Sequence, residues 1–173
     1  MTFRFFLILI IINFSSNAFS TNIRVIDLQK IIENNIFTSL LYDQIDKDQL
    51  THKEKFKNNE LELKNELERI EKLNLILESS ELQKEIEIYN QKLNKFNEKI
   101  ENFNLHYELQ INNFKNKIIN IILEILKTYS EDNKIDLILD STNYILSSNS
   151  INITDLIQDQ VNKKTIELNF EKY

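Results

Sequence analysis

Histidines and carboxylates are the side chains of this sequence best suited to acid–base or metal chemistry, since it contains no cysteine. A metal site needs three or four convergent ligands, and the two histidines, His52 and His106, are too far apart to form a His-x3-His pair. Paired carboxylates do catalytic work only in a pocket that shifts their pKa values, and the acids here belong to exposed helix faces. We therefore predict no catalytic centre and no metal site, and we interpret His106, beside Tyr107, as a packing residue.

The composition excludes several other kinds of site. Glycine and proline are absent as well as cysteine. Without glycine the chain can form no P-loop, dinucleotide fingerprint or nucleophile elbow, and without cysteine it has no disulfide or thiolate zinc site. We predict a protein that is not an enzyme and needs no cofactor.

The charge balance argues against nucleic acid as a partner. The chain has 21 basic and 27 acidic residues, a net charge of −6. A nucleic-acid binder would carry a basic face. The same acidic balance does not indicate contact with a membrane surface.

A heptad repeat organises the centre of the chain. From Leu82 to Tyr107 apolar residues recur in alternating steps of four and three, and upstream Phe56, Leu63, Ile70 and Leu77 recur every seven residues. This spacing predicts a coiled-coil seam. After Tyr107 the repeat slips, and the apolar run from Ile118 to Leu126 predicts a segment buried on several sides. The seam carries an aromatic stripe: Tyr89, Phe96, Phe103, Tyr107 and Phe114.

The position of Ser79–Ser80 between the two heptad runs predicts a turn. Ser80 and Gln83 have the spacing of a capping box, so we favour two long helices folded into an antiparallel hairpin. The alternative is one unbroken helix in a parallel oligomer. Upstream, Thr51 and Glu54 have capping-box spacing too, which leaves open either a break near Asp48–Thr51 or a continuous helix over about 38–78.

The two ends of the chain predict a small β-containing body. Residues 22–28 have a β-branched centre typical of a strand, and a short helix follows to Ile36. Residues 134–140 predict a second strand after Asn133, a candidate left-handed helix cap, and residues 144–147 predict a third that forms a β-hairpin with it. A last helix begins at Asn152, which we expect to cap it. Three strands cannot bury enough apolar surface alone, so we expect self-association.

The N-terminus is typical of an export signal. Arg4 supplies the positive charge, residues 5–12 form an apolar run too short to span a bilayer, and Ala18 and Ser20 suit cleavage after Ser20. The predicted organisation is a signal peptide over 1–20, a body over 21–37 and 132–173, and a helical arm over 38–131.

Four segments resemble the Skp/OmpH family of periplasmic chaperones: residues 23–30, 135–140, 143–146 and 152–157. The resemblance implies a mostly α-helical homotrimer in which coiled-coil hairpins project from a β-barrel-like body and enclose unfolded outer-membrane proteins. It implies an ATP-independent periplasmic holdase. By this likeness, seven residues would contribute to the body and trimer core: Val25, Ile26, Leu28, Ile135, Leu137, Leu139 and Tyr144. We interpret the aromatic stripe first as packing of the seam. The alternative is that some of its residues turn to the cavity and contact clients: Tyr89, Phe96, Phe103 and Tyr107.

The charge of this chain departs from that of the best-known, strongly basic members. Residues 60–87, near the proposed arm tip, include nine acidic and four basic side chains, whereas residues 88–127 include four acidic and six basic. We therefore transfer no lipopolysaccharide site to this chain. The competing hypothesis is an envelope coiled-coil spacer or adaptor that binds a folded partner.

Overall fold

The computed structural model describes residues 21–173, so the export signal predicted over 1–20 lies outside the described residues. The described part is mostly helical, with one pair of short strands. Among residues 21–173, no helix combines the length and the apolarity needed to cross a bilayer. The elements in chain order are β1 Ile23–Ile26, α1 Leu28–Glu33, α2 Ile36–Leu73, α3 Ser79–Asn133, β2 Leu137–Asp140, two 3-10 turns at Ser141–Asn143 and Asn149–Ile151, and α4 Thr154–Asn162.

The two strands form a parallel pair, with Val25 opposite Leu139. The predicted β-hairpin between 134–140 and 144–147 is wrong. Both Asp140 carboxylate oxygens are used: Oδ1 accepts from the Leu28 N–H at 3.0 Å, and Oδ2 accepts from the Thr142 hydroxyl at 2.7 Å. The Ser141–Asn143 turn that follows carries the chain away from β2, and residues 144–147 form no strand in the single chain.

The short helix α1 and the start of α2 are capped by side chains. Asp27 accepts a hydrogen bond from the Lys30 N–H, and the buried Asn35 accepts one from the Phe37 N–H. Asn35 therefore separates the two helices. From there α2 runs for 38 residues without a break. Thr51 does not cap a new helix, because its hydroxyl donates to the Asp48 carbonyl within α2.

The hairpin turn occupies residues 74–78, a few residues before the predicted Ser79–Ser80. Ser80 lies in the first turn of α3, whose N-cap is Glu78 with no side-chain hydrogen bond, so the capping box does not form. The reversal also excludes one unbroken helix. At the other end of α3 the left-handed residue is Lys134, with φ 52° and ψ 51°, rather than Asn133. Asn133 stays helical, and its side chain donates to the Tyr129 carbonyl.

The core lies where the root of the hairpin meets α1 and α4. Ile118 and Ile122 of α3 are fully buried there with Ile31 and Ile157, which confirms the predicted burial of this part of α3. The N-cap of the last helix is Ile153, without a side-chain hydrogen bond, and not the predicted Asn152. Asn152 lies one residue earlier, and its Oδ1 accepts from the Thr154 N–H at 2.9 Å.

Candidate functional site

A long groove runs along one side of the hairpin between α2 and α3. Its volume is about 850 Å³. We call it the arm groove. Its floor is apolar, and charges of both signs stand at its rim. The lining residues are Asp46, Gln49, Leu50, Lys53, Phe56, Lys57, Glu60, Phe96, Ile100 and Phe103.

The aromatic residues of the seam pack edge to face. The Phe56 and Phe103 ring centroids are 4.8 Å apart, and Phe96 lies 6.3 Å from Phe56. The Lys99 ammonium lies 5.6 Å from the centre of the Phe56 ring, within the range of a cation–π contact. Phe96 and Phe103 both reach the arm groove, so part of the aromatic stripe packs the seam and also lines an open surface.

The other two predicted contact residues lie elsewhere. Tyr89 is half-buried near the arm tip, where it lines a separate cavity of about 370 Å³ with Ile70 and Ile86. Tyr107 is only 2% exposed, and its hydroxyl donates to Asp48 Oδ2 at 2.7 Å. In this conformation Tyr107 holds the two helices together and is not accessible to a client.

The C-terminal segment, residues 165–173, lies along the arm, although the sequence assigned it to the body. It has no regular secondary structure. Ile166 is buried, and Leu168 and Phe170 pack half-buried against the core, while Glu167 and Asn169 face solvent. The segment therefore presents alternate side chains to the arm, as an extended chain does.

One buried carboxylate receives the end of the C-terminal segment. Asp48 Oδ2 accepts from the Tyr173 N–H at 2.9 Å as well as from Tyr107. Burial by itself would raise the pKa of Asp48. The two hydrogen bonds, together with the nearby His52 and Lys172, outweigh burial and hold this pKa below its ordinary value. Burial and the bond to Asp48 raise the pKa of Tyr107, so the tyrosine stays the donor of the pair.

The two histidines flank the last residue of the chain. The ring centroids of His52 and His106 each lie 5.5 Å from that of Tyr173. Over residues 21–173 no group of three or more potential ligands could hold a metal ion. The histidines therefore pack against an aromatic ring.

Residues 22–161 match a known family, described as outer membrane protein (OmpH-like). This match covers most of the chain. The chain belongs to the OmpH-like family.

The fold of this OmpH-like chain is also found in a solved structure. The structure is that of a Caulobacter crescentus protein described as a candidate outer membrane chaperone (OmpH-like). The TM-score is 0.65 at 11% sequence identity, over 87% of this chain and 89% of the other. At that identity the likeness shows the fold alone. A comparison with curated protein sequences found no significant match.

The predicted body residues of this OmpH-like chain differ in burial. Three of them are buried in the single chain: Val25, Ile26 and Ile135. Three are half-buried: Leu28, Leu139 and Tyr144. Leu137 is 45% exposed, and Ile145 and Leu146, which follow β2, are 104% and 89% exposed. The body therefore presents an apolar surface that this chain does not cover itself.

Sequence reasoning missed the C-terminal segment as part of a site. The signal was present, because Ile166, Leu168 and Phe170 alternate with polar residues. Its partners Asp48 and Gln110 gave no signal, since nothing in a helix repeat distinguishes one polar residue from another.

Proposed function

We propose that this protein is an ATP-independent holdase of the periplasm that, as a homotrimer, binds unfolded outer-membrane proteins between its arms and prevents their aggregation. The observation that carries the proposal is the arm groove of about 850 Å³ with an apolar floor on a projecting helical hairpin. Membership of the OmpH-like family supports a chaperone role.

The groove suits the chemistry of such clients. An unfolded barrel strand has an apolar face of alternate residues, and its free edge pairs readily with other strands. Leu50, Phe56 and Ile100 offer apolar contacts, and Lys53 and Lys57 offer charge at the rim. Many weak contacts of this kind hold a chain without selecting one sequence.

The mechanism is exclusion. A client segment held against an arm is kept from meeting a second client. The proposed mechanism requires no nucleotide, and the glycine-free sequence contains no P-loop.

Self-association is supported by the uncovered apolar surface of the body. Leu137 lies in β2, and Ile145 and Leu146 follow β2 in a segment that forms neither helix nor strand. Contiguous exposed apolar residues of this kind mark an interaction surface. If copies of this chain packed against one another through these segments, the apolar side chains would be buried and the arms would stay accessible.

The test is dilution of a urea-unfolded outer-membrane barrel protein into buffer with one trimer per client, followed by light scattering. We expect the scattering to be suppressed. Leu50→Asp places a charge at the groove, on a residue that is 67% exposed, and should weaken suppression about tenfold without unfolding the arm. Leu109→Asp, at a 52% exposed position of α3 outside the groove lining, is the control.

Unchanged scattering with the wild-type protein would contradict the holdase proposal. A pull-down then distinguishes the adaptor hypothesis from the holdase hypothesis. An adaptor would capture one native protein from a native extract and would show no preference for a denatured one.

A further inference from the structure

The C-terminal segment is bound to the arm largely through its own backbone. Gln110 Oε1 accepts from the Glu171 N–H at 2.8 Å, and Gln110 Nε2 donates to the Glu171 carbonyl, also at 2.8 Å. One side-chain amide thus pairs with both polar groups of one peptide residue, as a neighbouring strand would. Two residues on, the Tyr173 N–H donates to Asp48. These contacts recognise an extended backbone and no particular sequence.

The side chains of the segment occupy apolar positions at alternate residues. Ile166 is 4% exposed, and Leu168 and Phe170 pack on the core cluster. The cavity beside Leu168 has a volume of about 430 Å³. On the arm side it is lined by the apolar Leu41 and Phe114 and by the polar Gln110, Asn113 and Lys117. The surface therefore accepts apolar side chains at a period of two and leaves the intervening ones in solvent.

The Tyr173 ring packs against aromatic side chains of the arm and stays 37% exposed. The Tyr173 ring centroid is 5.1 Å from that of Phe103 and 5.5 Å from those of His52 and His106. Phe103 also lines the arm groove, so the two surfaces meet at one residue. A chain longer than the C-terminal segment could contact both.

We propose that the arm surface formed by Asp48, His52, Phe103, His106 and Gln110 is a binding site for extended polypeptide, and that the C-terminal segment is its intramolecular ligand. The ligand class is an unfolded chain in an extended conformation with apolar side chains at alternate residues. Clients displace the C-terminal segment, which makes the site self-masking in the free protein. This proposal rests on the proposed holdase function.

Exchange is feasible because no helix or strand ladder holds the segment in place. Residues 165–173 form no helix or strand ladder, and the hydrogen bonds named above join backbone to side chain. Segments of this kind open at a small fraction of the cost of unfolding the core. The apparent affinity for a client equals the intrinsic affinity multiplied by the fraction of open sites.

The test uses the full chain and a fluorescein-labelled peptide that copies residues 165–173. A second peptide has the same composition with its apolar residues made consecutive. Phe170→Asp releases the segment by placing a charge against the core, and Glu171→Pro releases it by removing the N–H that Gln110 accepts from. Thr165→Asp adds the same charge at an exposed position of the segment and is the control. Fluorescence anisotropy measures binding, and circular dichroism verifies the helices.

We expect both releasing variants to bind the copied peptide about tenfold more tightly than the wild-type protein and the control do, as for a site masked about nine-tenths of the time. The rearranged peptide should bind weakly. Adding Gln110→Ala to Phe170→Asp should lower the affinity about tenfold, because it removes both backbone contacts. Asn112→Ala, an exposed amide on α3, should change nothing.

Saturating copied peptide should also reduce the aggregation suppression of the released variants. Equal peptide affinity in wild-type and released proteins, or equal binding of both peptides, would overturn the proposal. A protein that binds the peptide as expected yet fails to suppress aggregation would overturn the holdase function and leave the peptide site standing.

Discussion

Two hydrogen bonds converge on one oxygen of Asp48, from the Tyr107 hydroxyl and from the Tyr173 N–H. The carboxylate is 6% exposed and joins α2, α3 and the C-terminal segment. A buried charge of this kind is tolerated only because charge-assisted hydrogen bonds replace its water. At the residue scale, this contact connects the stability of the arm to the docking of the C-terminal segment.

Asp48→Asn tests this contact through its pH dependence. The carboxylate is favoured in the folded state, because its neighbours Tyr107, Tyr173, His52 and Lys172 lower its pKa. Its contribution is therefore complete above the unfolded pKa of roughly 3.9 and is lost as the pH falls through the lower folded value. We expect Asp48→Asn to lower the free energy of unfolding by about 1–3 kcal/mol between pH 5 and 7.

Urea unfolding at pH 7, 5 and 3 measures this difference. It should shrink at pH 3, because below the unfolded pKa of roughly 3.9 the unfolded wild-type chain takes up a proton that the folded state resists. Asp43→Asn, at an exposed position of the same helix, is the control and should have little effect. A difference that grows as the pH falls would contradict the assignment.

At the scale of elements, α2 and α3 are held together by a repeated apolar seam and by a few ion pairs. Ile70 is 5% exposed near the tip, and Lys92 bonds to Glu66 across the two helices at 2.7 Å. Arg69 and Glu85 form a second bridge. Exposed pairs of this kind contribute about 0–1 kcal/mol each, so the seam residues supply most of the stability of the hairpin.

Ile70→Ala tests the dependence of the arm tip on one seam residue. Removing a buried isoleucine side chain costs about 2–5 kcal/mol, and here the loss should remain local because the tip is far from the core. We expect amide hydrogen exchange at the tip to become at least about tenfold faster, while that of Ile118 and Ile122 stays unchanged. Leu75→Ala, at an 87% exposed turn residue, should leave exchange unaltered.

The sequence predicted some elements more accurately than others. The long helices and the burial of Ile118 and Ile122 followed from periodicity, since an apolar stripe must face a partner. The predicted hairpin turn lay a few residues C-terminal to the observed turn at residues 74–78. Serine suits the first turn of a helix as well as its cap, so Ser79 and Ser80 did not fix the boundary. The predicted β-hairpin was wrong because Asp140 binds across the fold to the Leu28 N–H, a contact that no local pattern reveals.

At the scale of the whole molecule, the parallel strand pair brings residues 23–26 and 137–140 together at the root of the arm. Asn22 contacts Asp136 across 114 residues of sequence, and the entire hairpin lies between β1 and β2. Ile145 and Leu146 remain uncovered by this arrangement. The body of one chain thus has a buried core and an exposed apolar surface.

Ile145→Asp combined with Leu146→Asp tests the proposed assembly. We expect the wild-type chain from residue 21 to have the solution mass of three copies by light scattering, and the variant to have the mass of one, because two charges cannot be buried in an apolar interface. Circular dichroism should remain helical. Leu75→Asp with Ile76→Asp, at similarly exposed positions of the turn, should leave the mass unchanged. A wild-type protein that is a well-folded monomer in dilute buffer would contradict the trimer.

The sequence by itself determined the helical hairpin, the strands at both ends and the likeness to the OmpH-like family. These features depend on local spacing and composition, which any reader of the sequence can measure. Only the tertiary structure decided that β1 and β2 pair in parallel, that Tyr107 is bonded to a buried carboxylate and that the C-terminal segment lies along the arm. These features depend on contacts between residues far apart in sequence, and hydrogen-bond partners at such distances leave no periodic trace.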